Sequence, residues 1–84
     1  MGRHWHLPRI VLPALNGHEI LDALYNAGFV CMTRRSSHVT VRHPETMRKT
    51  TVPVHGSQDL TAGMVRAIIR QAGLTPGEFL QLLR

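Results

Sequence analysis

His38 stands in the run RRSSHVTVRHP, residues 34–44, between paired arginines and a strand-like alternation. A histidine titrates near neutrality and can carry a proton to or from a reacting oxygen. It can equally ligate a metal, contact nucleic acid or stand as a solvated strand residue. The surrounding residues narrow that choice. A nucleophilic triad needs an activated nucleophile, a base and an orienting group, and the serines beside His38 fall on neighbouring or opposite-facing positions. Paired carboxylates are scarce among five Asp and Glu, and no CxxC, HExxH or glycine-rich phosphate loop occurs. A zinc site from His38, His43 and His55 is disfavoured, because His38 and His43 lie an odd number of residues apart on one strand and point to opposite faces. Acid–base chemistry on a phosphate remains. RNA brings its own nucleophile, the 2′-hydroxyl, so a protein need supply only a base, cations for the phosphate and alignment. Arg34, Arg35, Arg42, Arg48 and Lys49 crowd residues 34–49 against Glu45 alone, a net +4.

The whole chain carries the same bias. Ten Lys and Arg oppose five Asp and Glu, for +5, and nine of the ten cations are arginine. The planar guanidinium fork suits phosphate, so RNA or DNA fits this surface better than an acidic protein partner does. With 84 residues and 43% hydrophobic composition, the chain has the makings of one folded domain of modest core, burying roughly 60% of its surface. Cys31 is the only cysteine. It excludes an internal disulfide and, within an apolar run, is expected to be a small buried side chain. No apolar run reaches the ~20 residues of a membrane span, and Pro8 and Pro13 interrupt any leader-like segment. A cytoplasmic location is the default expectation.

The elements that must position these groups follow from periodicity and caps. The opening MGRHWHLPRIVLP has two prolines and no period, and reads as an arm, with the boundary set at residues 1–11 and a single domain over 12–84. The histidines of His4-Trp5-His6, near a terminus, are not taken as a metal site. NGHEILDALYNAG reads as a helix capped by Asn16 with Glu19 as its capping-box partner, its apolar side at Ile20, Leu24 and Ala27, flanked by Leu21 and Ala23. Gly28 closes it in the left-handed region. FVCMTRR and HVTVRHP read as antiparallel strands joined through Ser36 and Ser37. Period two turns Val39 and Val41 to the core and His38, Thr40 and Arg42 to the other face. After the polar turn ETMR, KTTVPV is a third strand whose Pro53 demands an edge or a strand end. LTAGMVRAIIRQAG is a helix with an apolar stripe at Val65, Ile68, Ile69 and Ala72 and with Arg66 and Arg70 one turn apart elsewhere. TPGEFLQLL is a short helix with Thr75 as cap, Pro76 at its first position and Glu78 closing the box. The expected architecture is α+β: a three-stranded antiparallel meander with helices on one face and the other face open.

The segments RRSSHVTVRHP, TTVPVHG and LTAGMVRAIIRQAGLTPGEFLQLL, with LPALNGHEILDALYNAGFV ahead of them, resemble the HicA toxin family of mRNA interferases. The likeness covers about residues 12–83, in order and at family spacing. It implies a fold like the double-stranded-RNA-binding domain and a metal-independent, cofactor-free endoribonuclease toxin of a type II toxin–antitoxin system, restrained by a HicB-type antitoxin. The family's functional histidine follows a Gly-Ser pair, and here that position is His38, after Ser36 and Ser37. Serine replaces the usual glycine, so a turn needing φ > 0 would cost roughly 1 kcal/mol.

On this reading His38 is the catalytic group, taking the 2′-proton or protonating the leaving 5′-oxygen. The expected RNA contacts are Arg34, Arg35, Ser37, Thr40, Arg42, Lys49, Arg66 and Arg70. One histidine cannot make both transfers at once, so water or substrate would supply the other. His55, in PVHG, is read as a polar loop residue, with contact to RNA or antitoxin as the alternative. The rival functions are a non-catalytic RNA-binding module of the same fold and a domain whose basic face docks an acidic protein.

Overall fold

The computed structural model describes residues 11–83. The expected arm at 1–11, apart from Val11, lies outside the described residues, as does Arg84.

Among the described residues three helices and three strands follow in the order α1 (Gly17–Asn26), β1 (Val30–Arg34), β2 (His38–Arg42), β3 (Lys49–Pro53), α2 (Ala62–Gln71) and α3 (Pro76–Leu82). This is the α+β layout expected from the sequence. Each helix begins where a side chain satisfies its free amides. Asn16 Oδ1 accepts the Glu19 N–H at 2.9 Å while Glu19 Oε1 accepts the Asn16 N–H at 2.9 Å. Thr61 Oγ1 accepts the Met64 N–H. Thr75 and Glu78 form a second reciprocal box, with Pro76 in the first turn. Gly28, at φ +102°, turns the chain out of α1, as a residue without a Cβ can.

The strands form one antiparallel sheet in the order β1-β2-β3. Val39, Val41 and Val52 point from it into a core completed by Ile20 and Leu24 of α1, Val65, Ile68 and Ile69 of α2, and Phe79 of α3. Burying side chains of this size contributes roughly 1.5–3 kcal/mol each, and Phe79 is wholly buried. Thr50, the one buried polar side chain among the described residues, donates to Gln71 Oε1 at 2.7 Å and ties β3 to α2. Pro53 ends β3, an edge strand, where its missing N–H leaves no ladder bond unmade.

β1 departs from expectation. All five of its residues are exposed, including Val30 and Met32, and Cys31 is exposed rather than buried. The physical reason is twofold. The helices pack over β3, leaving β1 as an uncovered edge. A bulge at Met32 shifts the register between Cys31–Val41 and Thr33–Thr40, so the apolar run does not present one continuous face. The β1–β2 turn also avoids the cost foreseen for Ser36: the sole non-glycine residue with positive φ among those described is Met47, at 64°, in the β2–β3 turn.

Candidate functional site

Strand periodicity and register place His38 at the start of β2, across from Pro53 of β3, on the face away from the helices. The side chain is exposed, while its neighbour Val39 is buried on the opposite face. Ser37 Oγ lies 3.0 Å from His38 Nδ1, holding the ring by a hydrogen bond from the adjoining turn. The turn itself closes through the Arg35 N–H donating to the His38 carbonyl at 2.8 Å.

His38 does not stand on a flat sheet. It forms one wall of an open recess of about 300 Å3 with Pro53, His55, Gln58, Asp59, Thr61 and Met64 among the other lining residues. The His55 ring lies 6.3 Å from the His38 ring, centre to centre, at 82°. The loop that supplies these walls is pinned at both ends. The Val54 N–H donates to the Ser37 carbonyl at 2.9 Å, fastening the segment before His55 to the turn before His38. The Leu60 N–H donates to the Leu15 carbonyl at 2.8 Å, and the Gln58 N–H closes a turn on the His55 carbonyl at 3.0 Å. Thr61 caps α2 at the recess margin, so a helix N-terminus, which favours negative charge, begins there.

The cations that cluster along the sequence divide in space. Arg35 adjoins His38 across the turn. Arg34 pairs with Val39 and therefore stands on the helix-side face, away from His38. Arg42 and Lys49 pair with each other at the far end of the β2–β3 ladder, four residues and about 14 Å along the strand. Thr40 lies between, its hydroxyl 2.8 Å from that of Thr51. Arg66 and Arg70 join Arg48, Ile69, Leu74 and Pro76 around a separate groove of about 600 Å3 between α2 and the start of α3. His43 belongs to the scaffold. Its Nε2 donates to the Ala27 carbonyl, its Nδ1 accepts from the Glu45 N–H, and its ring meets Phe29 edge-on at 5.3 Å. Among the described residues no group of three or more His, Cys, Asp or Glu is placed to hold a metal ion.

His55, read from the sequence as a polar loop residue, lines the same recess as His38. The signal was present in the hairpin: with the β2–β3 turn centred near Glu45 and Thr46, antiparallel register sets His38 opposite Pro53, two residues from His55.

These features define a small α+β domain whose open sheet face is polar and partly basic and carries an exposed histidine in a braced recess. The family model described as "HicA toxin of bacterial toxin-antitoxin" matches residues 17–74, from the first residue of α1 past the end of α2. The chain belongs to the HicA toxin family, and a toxin of such a pair has an antitoxin partner. No curated protein matches the chain. Among the described residues no helix is long and apolar enough to cross a membrane.

Proposed function

We propose that the protein is the endoribonuclease of its toxin–antitoxin pair and cleaves mRNA through His38. The observation that carries the reading is the placement of an exposed, hydrogen-bonded histidine on the open sheet face within the family-matched segment. The substrate's 2′-oxygen attacks the adjacent phosphorus while His38 handles one of the protons. The bond to the 5′-oxygen breaks, leaving a 2′,3′-cyclic phosphate. Arg35 is the cation nearest His38 in sequence and is joined to it by the backbone hydrogen bond across the turn. It and the N-terminus of α2 oppose the negative charge that builds on the phosphate. Ser37, Thr40, Arg42 and Lys49 line the path of the strand along the open face, while Arg34, Arg66 and Arg70 act on RNA beyond it. A HicB-type antitoxin restrains the enzyme by covering that face.

The test is incubation of the purified chain with RNA in EDTA beside His38→Ala. Cleavage by the wild type and not by the folded variant is expected. RNA binding without cleavage by the wild type would instead make this a binding module.

A further inference from the structure

We infer that His55 is a second catalytic residue, making the proton transfer that His38 does not. This rests on the ribonuclease reading above. In-line displacement at phosphorus needs a proton removed from the 2′-hydroxyl and a proton delivered to the 5′-oxygen, on opposite sides of the phosphorus. One imidazole cannot reach both at once. A proton-transfer group works within about 2.6–3.2 Å of its oxygen, so two imidazoles that serve different oxygens of one phosphate must flank it without touching each other. The ring centres of His38 and His55 are 6.3 Å apart. That is too far for a direct hydrogen bond between the rings and suited to a phosphate held between them.

Four further observations favour a working pair over two incidental surface histidines. Both rings line one recess with an open mouth. The residues just before them are fastened together by the Val54–Ser37 hydrogen bond, so the two side chains spring from neighbouring points of the backbone. Behind them α1 presses against the same strand end: a Cβ on Gly17 would lie 2.1 Å from the Pro53 carbonyl oxygen. His55 itself is exposed, and among the described residues its ring makes no hydrogen bond that would give it a packing role.

The step balances. The 2′-oxygen forms its bond to phosphorus and loses its proton to one imidazole. The phosphorus–5′-oxygen bond breaks as the other imidazolium gives up a proton. The products are a 2′,3′-cyclic phosphate and a 5′-hydroxyl, with the protonation of the two rings exchanged and restored through solvent.

The experiment compares wild type, His38→Ala and His55→Ala, all as the full chain, on two RNA strands. One is ordinary RNA. In the other, sulfur replaces the bridging 5′-oxygen at a mapped cleavage site. A thiolate leaves without being protonated, so the variant lacking the acid recovers on sulfur while the variant lacking the base does not. On ordinary RNA, His55→Ala is expected to lose about 100–10,000-fold in rate with RNA binding and thermal melting kept. His55→Gln serves the same purpose if the alanine variant does not fold. On the sulfur strand, one of the two variants should return to within about tenfold of wild type and the other should stay slow. Cleavage at the wild-type rate by folded His55→Ala, with His38→Ala inactive, overturns the inference and leaves the ribonuclease reading intact. Failure of sulfur to separate the two variants also overturns it. Wild-type cleavage by His38→Ala would instead remove His38 from the reaction, and with it the reading on which the pair rests.

Discussion

Replacing Gly17 by alanine should destabilise the protein, although the same change at Gly63 should not. Gly17 opens α1 against the end of β3. A Cβ there would stand 2.1 Å from the Pro53 carbonyl oxygen and 3.1 Å from both the Pro53 carbonyl carbon and the Val54 Cα. All three are backbone atoms, and the Val54 N–H is already committed to the Ser37 carbonyl, so the strand end cannot yield cheaply. Overpacking of this kind costs about 1–3 kcal/mol, against an intrinsic gain from Gly to Ala of at most about 1 kcal/mol. So close an approach to backbone atoms puts the cost toward the upper end, about 2–3 kcal/mol, which leaves a net loss of about 1–2 kcal/mol, and a domain of this size loses roughly 4–8 °C in Tm per kcal/mol. Gly63, in the first turn of α2, is the control. Nothing lies within 4 Å of its would-be Cβ and its φ is not positive, so Gly63→Ala should raise Tm by a few degrees. Thermal unfolding followed by circular dichroism reads both. A Gly17→Ala variant melting at or above the wild type would refute the close approach of α1 to β3, and with it the bracing assigned to the recess.

The remaining predictions concern the surface and one buried hydroxyl. Arg35→Ala and Arg42→Ala should each lower the salt dependence of single-strand RNA binding by about 0.7 in slope, whereas Arg34→Ala, on the helix-side face, should lower it less; equal losses for all three would show that RNA wraps the sheet edge. Hydrogen exchange with the antitoxin bound should protect β2 and residues 54–61, and protection confined to the outer faces of α2 and α3 would contradict occlusion of the recess. Tyr25 Oη is buried without a hydrogen-bond partner, the Cys31 thiol beside it being a weak acceptor, so Tyr25→Phe should hold or raise Tm. Burial, and then the negative charge Cys31 can carry, push the Tyr25 phenol above its ordinary 10.0. A group whose pKa is raised on folding binds its proton more tightly in the folded state, so its stabilisation is present below the unfolded value and is lost as pH rises through the folded one. Denaturant midpoints should therefore fall faster with pH above about 10 in the wild type than in Tyr25→Phe.

Much of this arrangement could be read from the residues. The alternation of His38, Thr40 and Arg42 with Val39 and Val41 determines which side of β2 meets the helices, because only one side can be buried. The capping pairs Asn16–Glu19 and Thr75–Glu78 mark two helix starts by chemistry that acts locally. What escaped was set at longer range. Cys31 lies in an apolar run whose composition suits a buried strand, yet burial depends on where α1 and α2 settle, and they settle over β3. The bulge at Met32 has no local signature. Met47 takes the left-handed conformation because the hairpin closes around it, not because methionine favours it. The arginines adjacent in sequence separate in space, since consecutive strand residues face opposite ways and one hairpin carries Arg42 to the far end of the ladder. His55 joined His38 only once register was known. The recess is therefore a product of pairing between two segments, neither of which announces it alone.

The central claim is that RNA supplies the nucleophile and His38 moves one of its protons. The most direct measurement uses an RNA strand with a mapped cleavage site and a twin carrying a single 2′-deoxy substitution on the 5′ side of the scissile phosphate. Both are incubated in EDTA with wild type and with His38→Ala, and product ends are identified by mass. The account predicts that the wild type cuts the all-ribose strand to a 2′,3′-cyclic phosphate and a 5′-hydroxyl, leaves the substituted strand intact at that site, and is slowed about 100–10,000-fold by the histidine change. Cutting of the substituted strand at a comparable rate, or wild-type rates from a folded His38→Ala, would contradict it.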